Sequence, residues 1–198
     1  MSGNETTKGY SIEILIEEHE NITRMLQVLR TMCRRILEGG EVVTEDFREG
    51  ISFIRNYADR HHHGKEEKFL FPEMTVHLGG PAQKLITHGM LVEHDLGRGH
   101  VLALETALTD YEKEPTADHK LDILAGAMAY VNLLTGHIDK ENQVVFTFAQ
   151  RQLPGEVLEE VDQACRAYEK EEKNKEVRES YLALLKRLEE AYPLTEKI

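Results

Sequence analysis

The chain has 198 residues, of which 40% are hydrophobic and 30% charged, and its formal net charge is -12 at pH 7. This length suits one domain, or one domain with an appendage, and is sufficient to bury a substantial core. The acidic balance excludes a nucleic-acid-binding surface, which needs clustered lysine and arginine, and it disfavours anionic membranes. No apolar run is expected to span a bilayer, and the polar segment 1–9 lacks a signal-peptide core, so we expect a cytoplasmic protein. Cys33 and Cys165 are expected as small buried hydrophobes, not as a disulfide framework.

Four segments carry apolar residues at alternating three- and four-residue spacing, which predicts four amphipathic helices. Glycine, proline and threonine residues mark the turns between them and place the helices at about residues 12–38, 44–74, 81–111 and 116–150. None of these segments has the alternation of a strand. Because the connections are short, the expected arrangement is an antiparallel, up-down-up-down four-helix bundle.

The segment after the Leu-Pro-Gly turn at 153–155 has a different pattern. Two amphipathic stretches flank a nearly all-charged run at residues 169–176. We interpret this as a helical appendage, either one long helix with a solvated middle or a helix broken at the charged run, and we prefer a long helix to a disordered linker. The prediction is therefore an all-α fold with the bundle at residues 10–152 and a C-terminal helical appendage at residues 153–198. No heptad pattern persists long enough to require an oligomer.

Each predicted helix offers a histidine in phase with its apolar stripe. His62 is followed by Glu66, and His137 by Glu141, one helical turn later on the same face. In an up-down-up-down bundle these groups fall at one height, roughly 10 to 20 Å from one end at ~1.5 Å per residue. The candidate metal ligands are His19, His62, Glu66, His94, His137 and Glu141.

Metal binding follows from the cost of burying two ionised glutamates without a cation. Lys65 and Lys140 fall off the apolar stripe and are not expected to supply that charge. Two carboxylates from different helices can each bridge two metals, with four imidazoles at the remaining positions, so a dinuclear centre is predicted. Imidazole and carboxylate ligands suit iron, manganese or zinc.

Three consecutive histidines, His61 to His63, cannot all point inward from a regular helix. The residues four and eight before His62 are apolar, whereas those before His63 are polar. His62 and Glu66 are therefore predicted to point inward, and His63 and Glu67 to face water or the edge of the site. Four other histidines lie near loops or off the stripes and are expected at the surface: His77, His88, His100 and His119.

The order of these motifs resembles the hemerythrin-like, or HHE cation-binding, domain over roughly residues 10 to 150. The resemblance rests on His62-His63-Gly64-Lys65-Glu66-Glu67, on Leu70-Phe71-Pro72, and on Glu93-His94 followed by Gly97-Arg98. It implies an antiparallel four-helix bundle holding two iron ions with an oxo or hydroxo bridge. It also implies that the family's ligands fall at the same six residues.

The chain departs from the oxygen-carrying hemerythrins at two positions. Met90 stands where they have a second histidine on the third helix, and Glu141 replaces a shorter acid. The resemblance therefore implies an open or water-filled position on one iron. Simple reversible oxygen carriage is correspondingly less expected.

Three functional hypotheses follow. The leading one is a di-iron protein that binds or senses oxygen, nitric oxide or peroxide, or responds to iron. The alternative is a di-iron oxidase or peroxidase, although oxygen-activating bundles usually have Glu-rich sites with a Glu-x-x-His spacing. The His-x-x-x-Glu spacing and larger imidazole share found here favour binding over enzymatic turnover. The third is a regulatory module in which metal occupancy sets the fold of the C-terminal appendage.

Overall fold

The computed structural model describes residues 9–193, and all regular structure within them is helical. The prediction of an all-α chain is confirmed. The expectation about residues 1–9 concerns, apart from Gly9, residues outside the described part. The helices are α1 (Tyr10–Leu37), α2 (residues 44–77), α3 (residues 79–113), α4 (Ala117–Gln152), α5 (Gly155–Lys170) and α6 (Glu172–Ala191).

The turn residues separate the helices as their chemistry requires. Gly39, after α1, and Gly79, the first residue of α3, have φ values of 91° and 66°, a region in which a side chain is strained. The hydroxyl of Thr116 accepts a hydrogen bond from the backbone N–H of His119 at 3.2 Å and caps the start of α4. These contacts fix where the chain reverses.

Wider π-helical turns interrupt α2, α3 and α4 close to the candidate ligands. They occupy Ile54–His63, Glu66–Leu70, Ile86–Met90 and Glu141–Val145. A π turn bonds residue i to residue i+5, so it shifts the direction of every following side chain relative to a regular helix. The direction of a side chain within such a turn, as at His63, therefore differs from what the phase of a regular helix predicts.

Two apolar clusters fill the space between α1, α2, α3 and α4. One contains Leu29, Tyr57 and Leu104, and the other contains Leu15 and Phe71, each with further residues from all four helices. The chain passes from the second cluster to the first along α1, returns along α2, and repeats this along α3 and α4. This alternation is what an antiparallel bundle requires. The candidate ligands lie between the two clusters.

The C-terminal segment forms two helices that pack against α1 and α2. The appendage is helical and broken at the charged run, because the chain turns at Glu171, where ψ is 130°; the preferred single long helix was wrong. The charged run is not fully solvated either, since Glu169 and Asn174 are buried. The side-chain amide of Asn174 donates to the carbonyl of Tyr168 at 2.7 Å and stabilises the turn.

The two cysteines are free and buried, as expected. Cys165 belongs to the second apolar cluster, where α5 packs, and Cys33 belongs to the first. Burial raises the pKa of the Cys33 thiol to about 11 and that of the Cys165 thiol to about 12. Both side chains therefore act as core residues.

Among the described residues, α4 is long and apolar enough to cross a membrane by length and composition alone. The sequence expectation that no such run exists was wrong. The core helix of a bundle passes the same test, and 44% of this apolar window is buried inside the protein. Because α4 also carries His137 and Glu141, its composition is weak evidence for a membrane span.

Candidate metal centre

Seven side chains from α1 to α4 converge between the two apolar clusters, and all are buried. They form two groups, and within each group the potential ligand atoms lie within 4.8 Å of one another. The first group is His63, His94 and His137, and the second is His19, His62, Glu66 and Glu141. All six predicted ligands are thus brought together, with His63 as a seventh.

The two glutamates lie between the groups. The carboxylate of Glu141 is 3.1 Å from His19 Nε2 and 3.2 Å from His137 Nε2, so it faces both groups. The carboxylate of Glu66 is 3.7 Å from both His62 Nε2 and His94 Nε2. This is the placement that two bridging carboxylates need.

The prediction that His63 faces water or the site's edge was wrong. His63 is only 5% exposed, and its ring stacks on that of His94 with centroids 3.8 Å apart and planes at 9°. His61 and His62 are buried as well, so all three consecutive histidines point into the protein. Glu67, in contrast, lies partly exposed at the edge of the site, within the range expected.

The π-helical turn Ile54–His63 explains the error. Counting back from His63 in fours assumes a regular α-helix. A π turn, with its i→i+5 bonds, holds more residues per turn, so neighbouring side chains are separated by a smaller angle. His62 and His63 can therefore both point inward, and both are buried. A further buried imidazole thus comes from α2, whereas Met90 on α3 packs in the second apolar cluster.

Each of the five histidines has its Nδ1 paired with a side-chain oxygen. The pairs are His62 with Glu18 (2.9 Å), His94 with Glu67 (2.7 Å), His137 with Glu93 (2.9 Å), His63 with Asp59 (3.4 Å) and His19 with Asn142 (2.8 Å). A carboxylate or amide oxygen only accepts, so each Nδ1 carries the proton. Each Nε2 therefore carries a lone pair, as in metal sites whose histidines are oriented by hydrogen bonds.

Each of the four carboxylates that hydrogen-bond to these histidines also forms an ion pair with a lysine or an arginine. Lys65 pairs with Glu18, Lys140 with Glu93, and Arg98 with both Glu67 and Asp59. Lys65 is fully buried, contrary to the prediction that it lies off the apolar stripe.

These cations keep the orienting carboxylates charged. Burial alone would raise the pKa of Glu18, but Lys65 and two histidines hold that pKa well below its usual range. A hydrogen bond from His94 lowers the pKa of Glu67, with Arg98 adding to the effect. The carboxylates are therefore anionic acceptors at neutral pH.

The pKa values of the candidate ligands are shifted in different directions. Burial and the nearby His19 lower the pKa of His62 to about 4, and burial and His94 lower that of His63. Burial, together with the charge of Glu141, raises the pKa of Glu66 well above its usual range. Burial alone would raise the pKa of Glu141 too, but the surrounding histidines lower it. The neutral imidazoles of His62 and His63 and a carboxylate that resists ionisation indicate a site short of positive charge at these residues.

The unpaired atoms at the centre fit a cation. Within residues 9–193, His19 Nε2, His62 Nε2 and all four oxygens of Glu66 and Glu141 are buried without a hydrogen-bond partner. Six acceptors aimed at one another are costly unless a Lewis acid accepts their lone pairs. The set of imidazole and carboxylate donors suits iron, manganese or zinc. The residues present therefore fit a pair of such ions.

An internal repeat contains several residues that the sequence prediction missed. Glu18 and Glu93 each stand directly before a predicted ligand, and each lies 44 positions before the histidine that it orients. Lys65 and Lys140 each lie 47 positions after the glutamate that they hold. Extending the match between the two His-x-x-x-Glu segments to their neighbours would have found all four.

Two cavities adjoin the centre. An open depression with a volume of about 360 Å³ is lined by His19, Asn142 and Ile138 beside the second group. A cavity of about 260 Å³ is lined by His63 and His94 beside the first group. Small molecules can therefore approach the ligands from two sides.

The chain belongs to the family described as the hemerythrin HHE cation binding domain, whose model matches residues 10–149. The resemblance inferred from the motifs is confirmed. The match covers α1 to α3 and nearly all of α4, while α5 and α6 follow it. Comparison with individual curated proteins and with solved structures gives no match.

Proposed function

We propose that the protein binds two iron ions between α1 and α4 and takes up oxygen, nitric oxide or peroxide at one of them. One observation carries this proposal: the five buried imidazoles divide into three and two around a shared pair of glutamates. One ion would be held by His63, His94 and His137, and the other by His19 and His62, with Glu66 and Glu141 between them. The second ion then has one protein ligand fewer.

The internal repeat supports an open position on that side. When His62 is aligned with His137, the next residue in each half is His63 and Ile138, so an imidazole in the first half corresponds to an apolar side chain in the second. Ile138 lines the depression beside His19. The proposed position for the small ligand is therefore beside Ile138, which corresponds to His63 in the other half of the repeat.

The bound iron pair would supply the electrons that a diatomic ligand accepts. The chain's own residues set the conditions for this. Glu18, hydrogen-bonded to His62 Nδ1, makes that imidazole a stronger donor, and Glu67 and Glu93 do the same for His94 and His137. The apolar clusters on both sides limit access of water to the centre.

The donor set favours ligand binding over oxidase or peroxidase chemistry. Oxygen-activating bundles of the carboxylate type use four glutamates and two histidines, with two of the glutamates in Glu-x-x-His pairs. Here five imidazoles and two carboxylates converge, with His-x-x-x-Glu spacing. The enzymatic alternative predicts sustained consumption of oxygen or peroxide in the presence of a reductant.

Anaerobic reconstitution with ferrous iron tests the proposal. We expect two iron ions per chain, near-ultraviolet charge-transfer bands after oxidation, and a spectral change when azide is added to the oxidised protein or nitric oxide to the reduced protein. One tightly bound zinc per chain with no iron spectrum would refute it. Multiple turnovers with peroxide would favour the enzyme instead.

A further inference from the structure

A buried cluster of ions joins the C-terminal helix α5 to the metal centre. It consists of Glu18 on α1, His61 and Lys65 on α2, and Glu169 on α5, none more than 9% exposed. Lys65 Nζ donates to Glu169 at 2.5 Å and also to Glu18. His61 Nε2 lies 3.2 Å from Glu18 and 3.1 Å from Glu169. Lys65 and His61 thus each contact both carboxylates of the cluster.

Glu18 connects this cluster to a candidate ligand. Its Oε1 atom faces Lys65 and His61, and its Oε2 atom accepts the Nδ1 proton of His62 at 2.9 Å. Glu169 is therefore three contacts away from His62, an imidazole of the ion that is proposed to have fewer protein ligands. It lies beyond the region that matches the family.

The internal repeat provides a comparison within the same molecule. Glu93 accepts from His137 and is held by Lys140, at the same sequence separations as in the first half. Yet Lys140 is 48% exposed and Glu93 is 19% exposed, and within residues 9–193 no second carboxylate pairs with Lys140. The two series of contacts, His62–Glu18–Lys65 and His137–Glu93–Lys140, are built alike. The first is buried by α5, and its lysine pairs with a second carboxylate, that of Glu169.

This difference has an electrostatic consequence. In a buried site, Lys65 facing Glu18 alone would draw the carboxylate's charge toward itself and away from His62. Glu169 shares Lys65 and His61, so Glu18 can act as a strong acceptor for the imidazole. A more basic imidazole stabilises the oxidised metal relative to the reduced metal.

We propose that Glu169 is a positioning residue of the metal centre, which acts through Lys65 and His61 to hold Glu18 against His62. The C-terminal helices thereby tune the ion that is proposed to bind the small ligand. The inference rests on the proposed function only in taking His62 as a ligand of that ion. Linkage is reciprocal, so the state of the metal also affects how firmly α5 is docked.

The test compares Glu169→Gln with Glu160→Gln, which removes the same charge from an exposed position of α5. In the metal-free protein, the nuclear magnetic resonance signal of the His62 Nδ1 proton should shift in Glu169→Gln, while that of His137 should not. In the iron-loaded protein, metal affinity should fall by about tenfold or more and the midpoint potential should rise. Glu160→Gln should match the wild type in all of these measurements.

Glu169→Asp keeps the charge and should give a smaller shift in the same direction, which also covers the case in which Glu169→Gln folds poorly. The proposal is overturned if the Glu169 variants destabilise the fold but leave the His62 signal unchanged, because Glu169 would then only anchor α5. If the wild type binds no iron, the proposed function fails. The His62 signal of the metal-free protein still decides whether Glu169 positions Glu18.

Discussion

Replacing Glu66 by glutamine should stabilise the metal-free protein while abolishing tight metal binding. Both oxygens of Glu66 are buried without a hydrogen-bond partner among the described residues, and burial with the charge of Glu141 raises its pKa. The amide of the introduced glutamine would instead offer two N–H donors to lone pairs of Glu141 and the histidines. Satisfying one such buried group is worth about 1–3 kcal/mol. At roughly 2–4 °C per kcal/mol for a chain of this size, Tm should rise by about 2–12 °C.

The pH dependence of this difference has a definite sign. A carboxyl whose pKa is raised on folding contributes stability that is fully present below its usual value of 4.5 and is lost as pH rises through the folded value. Wild-type and Glu66→Gln proteins should therefore differ least in acid. The advantage of the variant should grow toward neutral pH.

The assay is thermal unfolding of chelator-treated protein, followed by circular dichroism at several pH values, with Glu45→Gln as a control. Glu45 is exposed on the same helix, so its variant should unfold like the wild type. With iron present the order should invert, since only the wild type retains both glutamates. A metal-free Glu66→Gln protein that is less stable than the wild type at neutral pH would refute the reasoning.

Three further predictions test other parts of the site. His63→Ala should lower the iron content as severely as His62→Ala does, measured by metal analysis, with exposed His77→Ala as the control. Lys65→Met should cost about 3–5 kcal/mol in denaturant unfolding because it strands two buried carboxylates. Lys140→Met, at a half-exposed pair, should cost about 1 kcal/mol or less. Met90→His should destabilise the fold by about 1–3 kcal/mol without adding a ligand, since it buries an imidazole in an apolar cluster.

Helix periodicity was sufficient to predict the convergence of six side chains, because the apolar residues around them keep regular spacing. His19, His94 and His137 lie where that spacing puts them, close to the two glutamates. That these groups bind metal stays a prediction. His63 was missed because a π-helical turn in α2 changes the phase, and a single sequence gives no sign of such a turn.

The buried cluster beside the site could not be predicted for a different reason. Helix phase placed Lys65 off the apolar stripe, and Glu169 fell in a charged run that was expected to be solvated, as charged side chains mostly are. Their burial depends on each other, since each neutralises the other across 104 positions of sequence. Only the packing of α5 against α1 and α2 brings them together.

The repeat also supplies the sharpest test of where a ligand binds. His63 supplies a third imidazole to one group, and its counterpart Ile138 lies beside His19, which belongs to the group with two. Ile138→His should therefore fill the proposed open position. Such a protein should still bind two iron ions, but azide should no longer change its oxidised spectrum, and nitric oxide should no longer change its reduced one. Ile138→Leu, which offers no donor atom, should retain both responses. If azide binds Ile138→His as it binds the wild type, with two iron ions retained, the open position lies elsewhere, and the cavity beside His63 and His94 becomes the route to examine.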